Sequence, residues 1–114
     1  MPSGIDNWKT QVRKGYLEMC ILLVIQTHKS LYGFDLIEKL HTLDLNVKEG
    51  TLYPLLNRMS SEGILKTHWQ TEGNKGHPRK FYALTAEGEA FLQMMQEEFG
   101  RMAKVFEQLS KDHE

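Results

Sequence analysis

The chain has 114 residues, 40% hydrophobic and 25% charged, enough to bury one core and too few for two independent ones. Its one cysteine, Cys20, excludes an internal disulfide framework and a multi-cysteine zinc site, and fits a reducing cytoplasm. The formal net charge of −1 divides unevenly, 11 Lys/Arg against 8 Asp/Glu in residues 1–84 and 3 against 7 in residues 85–114, so the N-terminal body remains a candidate surface for nucleic acid.

No basic segment leading into an apolar core and cleavage site opens the chain. The most apolar run, Met19 to Ile25, is far shorter than a membrane span. Neither export nor membrane contact is expected.

Trp8 to about Thr27 reads as a helix whose second half, Met19 to Ile25, is apolar on every face and needs cover from its own domain or from another subunit. A buried strand accounts for the short run alone, but the length of the segment and its polar first half favour helix. His28-Lys29-Ser30 interrupts the pattern. Beyond Gly33, the spacing of Leu36, Ile37, Leu40 and Leu43 predicts a second, short helix.

A third helix is predicted from about Lys48 to Glu62, with Leu52, Leu55, Leu56 and Met59 on one face and Gly63 ending it as a C′ residue. Pro54 lies inside it, where it lacks an N–H and crowds the carbonyl of Gly50. A start near Thr51 would lessen both costs.

From Ile64 to Thr71 the period changes to two: Leu65, Thr67 and Trp69 alternate with Lys66, His68 and Gln70, predicting a strand with one covered face. Residues 72–78 are rich in turn formers, and Arg79 to Leu84 predicts a second strand, making a β-hairpin with a long basic tip. Thr85 is placed as the N-cap of a final helix, with Glu87 and Glu89 in its first turn. In that helix Leu92, Met95, Phe99, Met102, Phe106 and Leu109 alternate spacings of three and four, an a/d seam that needs a partner.

The order helix, helix, helix, β-hairpin is the winged helix-turn-helix arrangement, in which the third helix enters the major groove and the wing reaches the backbone or minor groove. The face opposite its leucines carries Gly50, Tyr53, Pro54, Asn57 and Arg58, with Lys48 and Thr51 near its start. Asn and Arg can read base edges bidentately, while Thr, Tyr and Lys can hold phosphates. The hairpin offers Lys75, His77, Arg79 and Lys80.

Several separated blocks now carry a family resemblance. Gly50-Thr51-Leu52-Tyr53-Pro54-Leu55-Leu56, Glu62-Gly63-Ile64-Leu65 and Arg79-Lys80-Phe81-Tyr82-Ala83-Leu84-Thr85 with Gly88 resemble the signature of PadR-family regulators. Gly15, Leu17-Glu18, Ile21-Leu22 and Tyr32-Gly33-Phe34 fall where that family has comparable residues.

The resemblance spans roughly residues 13–88 and implies a dimeric repressor of double-stranded DNA, acting on an inverted repeat and released by a small molecule. It adds Tyr32 to the DNA-binding set. The single C-terminal helix is similar to that of a compact subgroup, some of whose members bind flat aromatic or cationic drugs between subunits against an aromatic residue of the last helix. Phe99, eleven residues after Gly88, takes the comparable place, where that subgroup can carry tryptophan. Lys48 stands where the family often has a small capping residue, leaving Asn46 as an alternative cap.

The expected architecture is mainly α with a small β-hairpin. Residues 1–85 make a winged helix-turn-helix domain with its N-terminal helix, and residues 86–114 a dimerisation helix. The expected effector site pairs Met95, Phe99 and Met102 with Trp8, Val12 and Cys20 on the first helix.

Simpler accounts exist for each group. A solvated hairpin explains the wing charges and an exposed helix face explains Tyr53, Asn57 and Arg58, but their places in the motif blocks argue against both. The methionines and aromatics of the last helix serve as core and dimer seam whether or not a ligand binds. Trp8 also reads as a helix anchor and Cys20 as a small buried hydrophobe.

His28, His41, His68, His77 and His113 lack metal-ligand spacing, so neither metal nor cofactor is expected. No phosphate-binding glycine loop, nucleophile elbow or zinc-protease helix is present, and Ser60-Ser61-Glu62 has no recognisable base partner, so no enzyme is expected. A winged-helix module that binds protein instead of DNA is the alternative, separable by salt dependence.

Overall fold

A computed structural model describes residues 4–71 and 77–112. In chain order the elements are α1 (Gly4–His28), β1 (Leu31–Tyr32), α2 (Gly33–Thr42), α3 (Glu49–Ser61), β2 (Leu65–Gln70), β3 (Arg79–Leu84) and α4 (Ala86–Lys111). The strands form an antiparallel sheet in the order β1-β3-β2. Among the described residues no helix is long and apolar enough to cross a membrane.

The apolar half of α1 is the centre of the core. Ile21, Leu22 and Ile25 are fully enclosed by Leu36 and Leu40 of α2, Leu52, Leu56 and Met59 of α3, Leu65, Tyr82 and Leu84 of the sheet, and Leu92 of α4. Each such side chain contributes on the order of 1.5–3 kcal/mol by leaving water. The first half of α1 is exposed throughout, and the helix begins at Gly4 instead of Trp8; the added turn holds a single apolar residue, the exposed Ile5, and so carries no repeating apolar pattern.

Local chemistry ends the helices. Gly63, at φ +80°, closes α3 in a Schellman motif, its N–H donating to the Ser60 carbonyl and that of Ile64 to the Met59 carbonyl. Asp44, at φ 61°, does the same for α2, which stops at Thr42 and leaves Leu43 exposed instead of on the buried face. Thr85 caps α4 by accepting from the Gly88 N–H at 2.9 Å. Its hydroxyl also donates to the Gly63 carbonyl at 2.5 Å, tying the start of α4 to the α3–β2 junction.

The sheet differs from the sequence reading in two ways. β1 was not anticipated, since two residues are too short for an alternating pattern and pair only with the distant Tyr82 and Phe81. β2 has no continuous covered face: Leu65 is buried, but Thr67 and Trp69 are exposed because the hairpin runs out beyond the core. α3 runs from Glu49 to Ser61, matching the predicted span of about Lys48 to Glu62, and the later start near Thr51 that would have eased the cost of Pro54 is not taken: Pro54 stands inside the helix on its exposed side. Lys48 is the N-cap residue, and no side chain makes a cap hydrogen bond there.

Candidate nucleic-acid interface

Helical spacing places Gly50, Pro54, Asn57 and Ser61 along the outward row of α3, and all four are exposed. On one flank, Tyr53 and Asn57 share a cleft with Tyr32 and Gly33 at the start of α2 and with Trp69, Pro78, Lys80 and Tyr82 of the wing. On the other flank, Thr51, Pro54 and Arg58 face Lys14 and Glu18 of α1. The sequence-predicted residues thus divide around one helix.

Tyr53 is half-buried against Gly33, where its ring takes the space a side chain at residue 33 would fill. Burial, reinforced by the Glu49 carboxylate and by Tyr32, pushes its phenol above the ordinary value of 10.0. It is therefore a neutral donor near pH 7. Arg58 is braced: Nη1 donates to Glu62 at 2.9 Å and the other terminal nitrogen donates to Glu18 of α1.

The wing holds its cations on aromatic rings. The Lys80 ammonium lies 5.8 Å from the Trp69 ring centroid and 5.6 Å from that of Tyr82, and the Arg79 guanidinium lies 5.1 Å from that of Tyr32. Cation–π contact of this kind orders a long side chain while leaving its charge available. His77 is exposed, and Lys75 lies outside the described residues. Trp69, which the strand pattern assigned to a covered face, is 61% exposed in the cleft beside Lys80.

A separate groove of about 480 Å³ runs between α1 and α4, lined by Val12, Gly15, Tyr16, Met19, Met95, Glu98, Phe99 and Met102. It unites Val12, Met95, Phe99 and Met102 as expected from the sequence. Trp8 lies beyond it and is exposed, and Cys20 is buried, its thiol pushed up by burial and lowered in part by a hydrogen bond from Tyr16. Tyr16 instead forms the aromatic wall, stacked on Phe99 with ring centroids 5.7 Å apart. The spacing Val12, Tyr16, Met19 was the available signal, masked by the polar residues between.

Past Met95 every described residue of α4 is exposed, including Met102, Phe106 and Leu109 of the seam. Among the described residues no group of three or more His, Cys, Asp or Glu side chains is placed to hold a metal ion.

The family model described as "Transcriptional regulator PadR-like family" matches residues 21–94. A PadR-like transcription factor from Bacteroides fragilis is 40% identical, with 90% of this chain and 98% of that chain covered and a TM-score of 0.76. A PadR-like transcriptional regulator from Bacillus cereus is 33% identical over 87% of this chain and 95% of that one, with a TM-score of 0.77. A PadR family regulator from Eggerthella lenta is 28% identical over 92% and 90%, with a TM-score of 0.80. With the family model matched over residues 21–94 and a PadR-like structure 40% identical across 90% of the chain, this chain belongs to the PadR-like family of transcriptional regulators.

Proposed function

We propose that the chain is a cytoplasmic homodimeric repressor that binds an inverted repeat in double-stranded DNA and is released by a small aromatic or cationic effector. The cleft joining α3 to the wing carries this reading, because it sets the base-reading chemistry of Asn57 beside the cation of Lys80. In this reading the outward row of α3 enters the major groove, and the bare backbone at Gly50 permits close approach. Tyr32, Lys48, Thr51, Tyr53 and the wing residues Lys75, His77, Arg79 and Lys80 hold phosphates. Arg58 chiefly fixes α3 against α1, with its remaining N–H groups turned to the backbone.

Residues 1–85 form the DNA-binding unit and residues 86–114 the dimerisation helix. The exposed seam of α4 supports a second copy as its cover, since Phe106 at 70% exposure is costly to leave in water. Two-fold pairing then places half-sites about one helical turn apart. Covered in this way, the α1–α4 groove has the size and apolar lining of a small-molecule site, with the Tyr16–Phe99 stack as its aromatic wall. A ligand there releases DNA to the extent that it prefers a subunit geometry that cannot span both half-sites.

Fluorescence anisotropy with a duplex from the protein's own promoter region tests the reading. Binding should weaken steeply with salt. Asn57→Ala should reduce discrimination between promoter and random DNA by about 1–3 kcal/mol. A dimer with no salt-dependent affinity for that duplex overturns the proposal and favours the protein-binding module.

A further inference from the structure

The side of α1 turned away from the subunit groove carries a surface that the reading above leaves unused. Arg13 and Lys14 face Lys48 and Thr51, at the head of α3, across a trough of about 330 Å³. It continues into a second depression where Lys14 meets Gly50, Thr51 and Pro54, part of the row assigned to the major groove. Arg13, Lys14 and Lys48 are exposed, and among the described residues the ion pairs engage only Arg58 and Arg101.

Three cations facing one trough repel one another unless an anion lies between them. Glu18 is already committed to Arg58, and neither Asp6 nor Glu49 lines the trough. An open channel running onto the recognition face suits a continuous polyanion better than a single small anion. We propose that the α1–α3 trough is a second phosphate track, through which Arg13 and Lys14, together with Lys48, grip the DNA backbone beside the groove that α3 reads.

This inference rests on the DNA-binding reading and extends the contact surface to α1. The same helix lines the subunit groove through Val12, Tyr16 and Met19. A tilt of α1 that accommodates a ligand in the groove therefore also moves the grip on DNA.

The test compares the full-length protein with Arg13→Gln/Lys14→Gln in salt titrations against a random-sequence duplex several helical turns long and against the promoter duplex. With two cations lost from each subunit of the dimer, the log–log salt slope should fall in magnitude by about 3 to 4, and affinity at about 0.1 M salt should drop roughly 1000-fold or more on both duplexes. The sedimentation coefficient and the melting temperature should be unchanged, because both side chains are exposed. Asn57→Ala should show the opposite pattern, with discrimination reduced and the slope retained.

An unchanged slope and affinity in the double variant overturns the phosphate track while leaving the DNA reading intact. Loss of the dimer in the double variant also overturns it, since Arg13 and Lys14 would then serve the subunit contact instead of DNA. A wild-type dimer that binds neither duplex removes both readings together.

Discussion

Tyr53 of α3 rests on Gly33 at the start of α2 so closely that a β-carbon at residue 33 would come within 2.9 Å of the tyrosine Cε1 and 3.0 Å of its hydroxyl oxygen. The missing side chain of one helix thus seats the functional ring of another. Gly33→Ala should displace the Tyr53 ring and its hydroxyl from the cleft at a cost of about 1 kcal/mol or less, because the atoms in the way are the outer end of a half-exposed side chain. DNA affinity should fall as in Tyr53→Ala, and the double variant should bind no worse than Tyr53→Ala alone, because both act on one ring. Urea unfolding and duplex anisotropy measure the two effects; full additivity in binding would show that Gly33 acts elsewhere.

The junction between α3, β2 and α4 should be the least tolerant of small changes. A β-carbon at Gly88 would overlap the Ile64 carbonyl oxygen, which is backbone and cannot rotate aside. Gly88→Ala should therefore destabilise the fold by about 3 kcal/mol, near the upper end for overpacking. Thr85→Ala should cost about 1 kcal/mol from the lost cap. Chemical denaturation resolves that order, and the reverse order would mean that α4 moves away easily.

Dimerisation should depend on residues that do little for the single subunit. Phe106 is 70% exposed and lies beyond the last buried residue of α4, so Phe106→Asp should leave monomer stability within about 0.5 kcal/mol of the parent. It should nevertheless weaken the dimer strongly by placing charge in an a/d seam. Sedimentation equilibrium at micromolar concentration decides this, and an undiminished dimer would move the interface elsewhere.

Alkaline pH should destabilise the protein through Tyr82. Its phenol is pushed above the ordinary value of 10.0, first by burial and then by Tyr53. The folded state therefore keeps its proton while the unfolded state releases it, so this contribution is intact below pH 10 and is lost as pH rises through the raised folded value. Tyr82→Phe should flatten the decline in urea-unfolding free energy above pH 10 by removing this titration. A decline of unaltered steepness in the variant would assign the effect to other groups.

What the sequence determined was local. The helical period of Leu52, Leu55, Leu56 and Met59, the stop at Gly63 and the cap at Thr85 all depend on residues a few positions apart, so α3 and the start of α4 were legible within a residue or two. Asp44 shows the limit of such signals, because it takes the left-handed position that a glycine would have advertised.

Only the tertiary structure decided the partners. Tyr16, in place of Cys20 and Trp8, lines the groove because α4 crosses α1 opposite Val12 and Met19, placing Phe99 on that ring. Arg58 is a brace because packing brings Glu18 to it across forty positions of chain. Trp69 is exposed because the wing outruns the core, although its alternation with His68 and Gln70 is that of a half-buried strand. Periodicity records which face of an element is apolar; what covers that face depends on helix crossings between residues far apart in the chain, and these leave no local pattern.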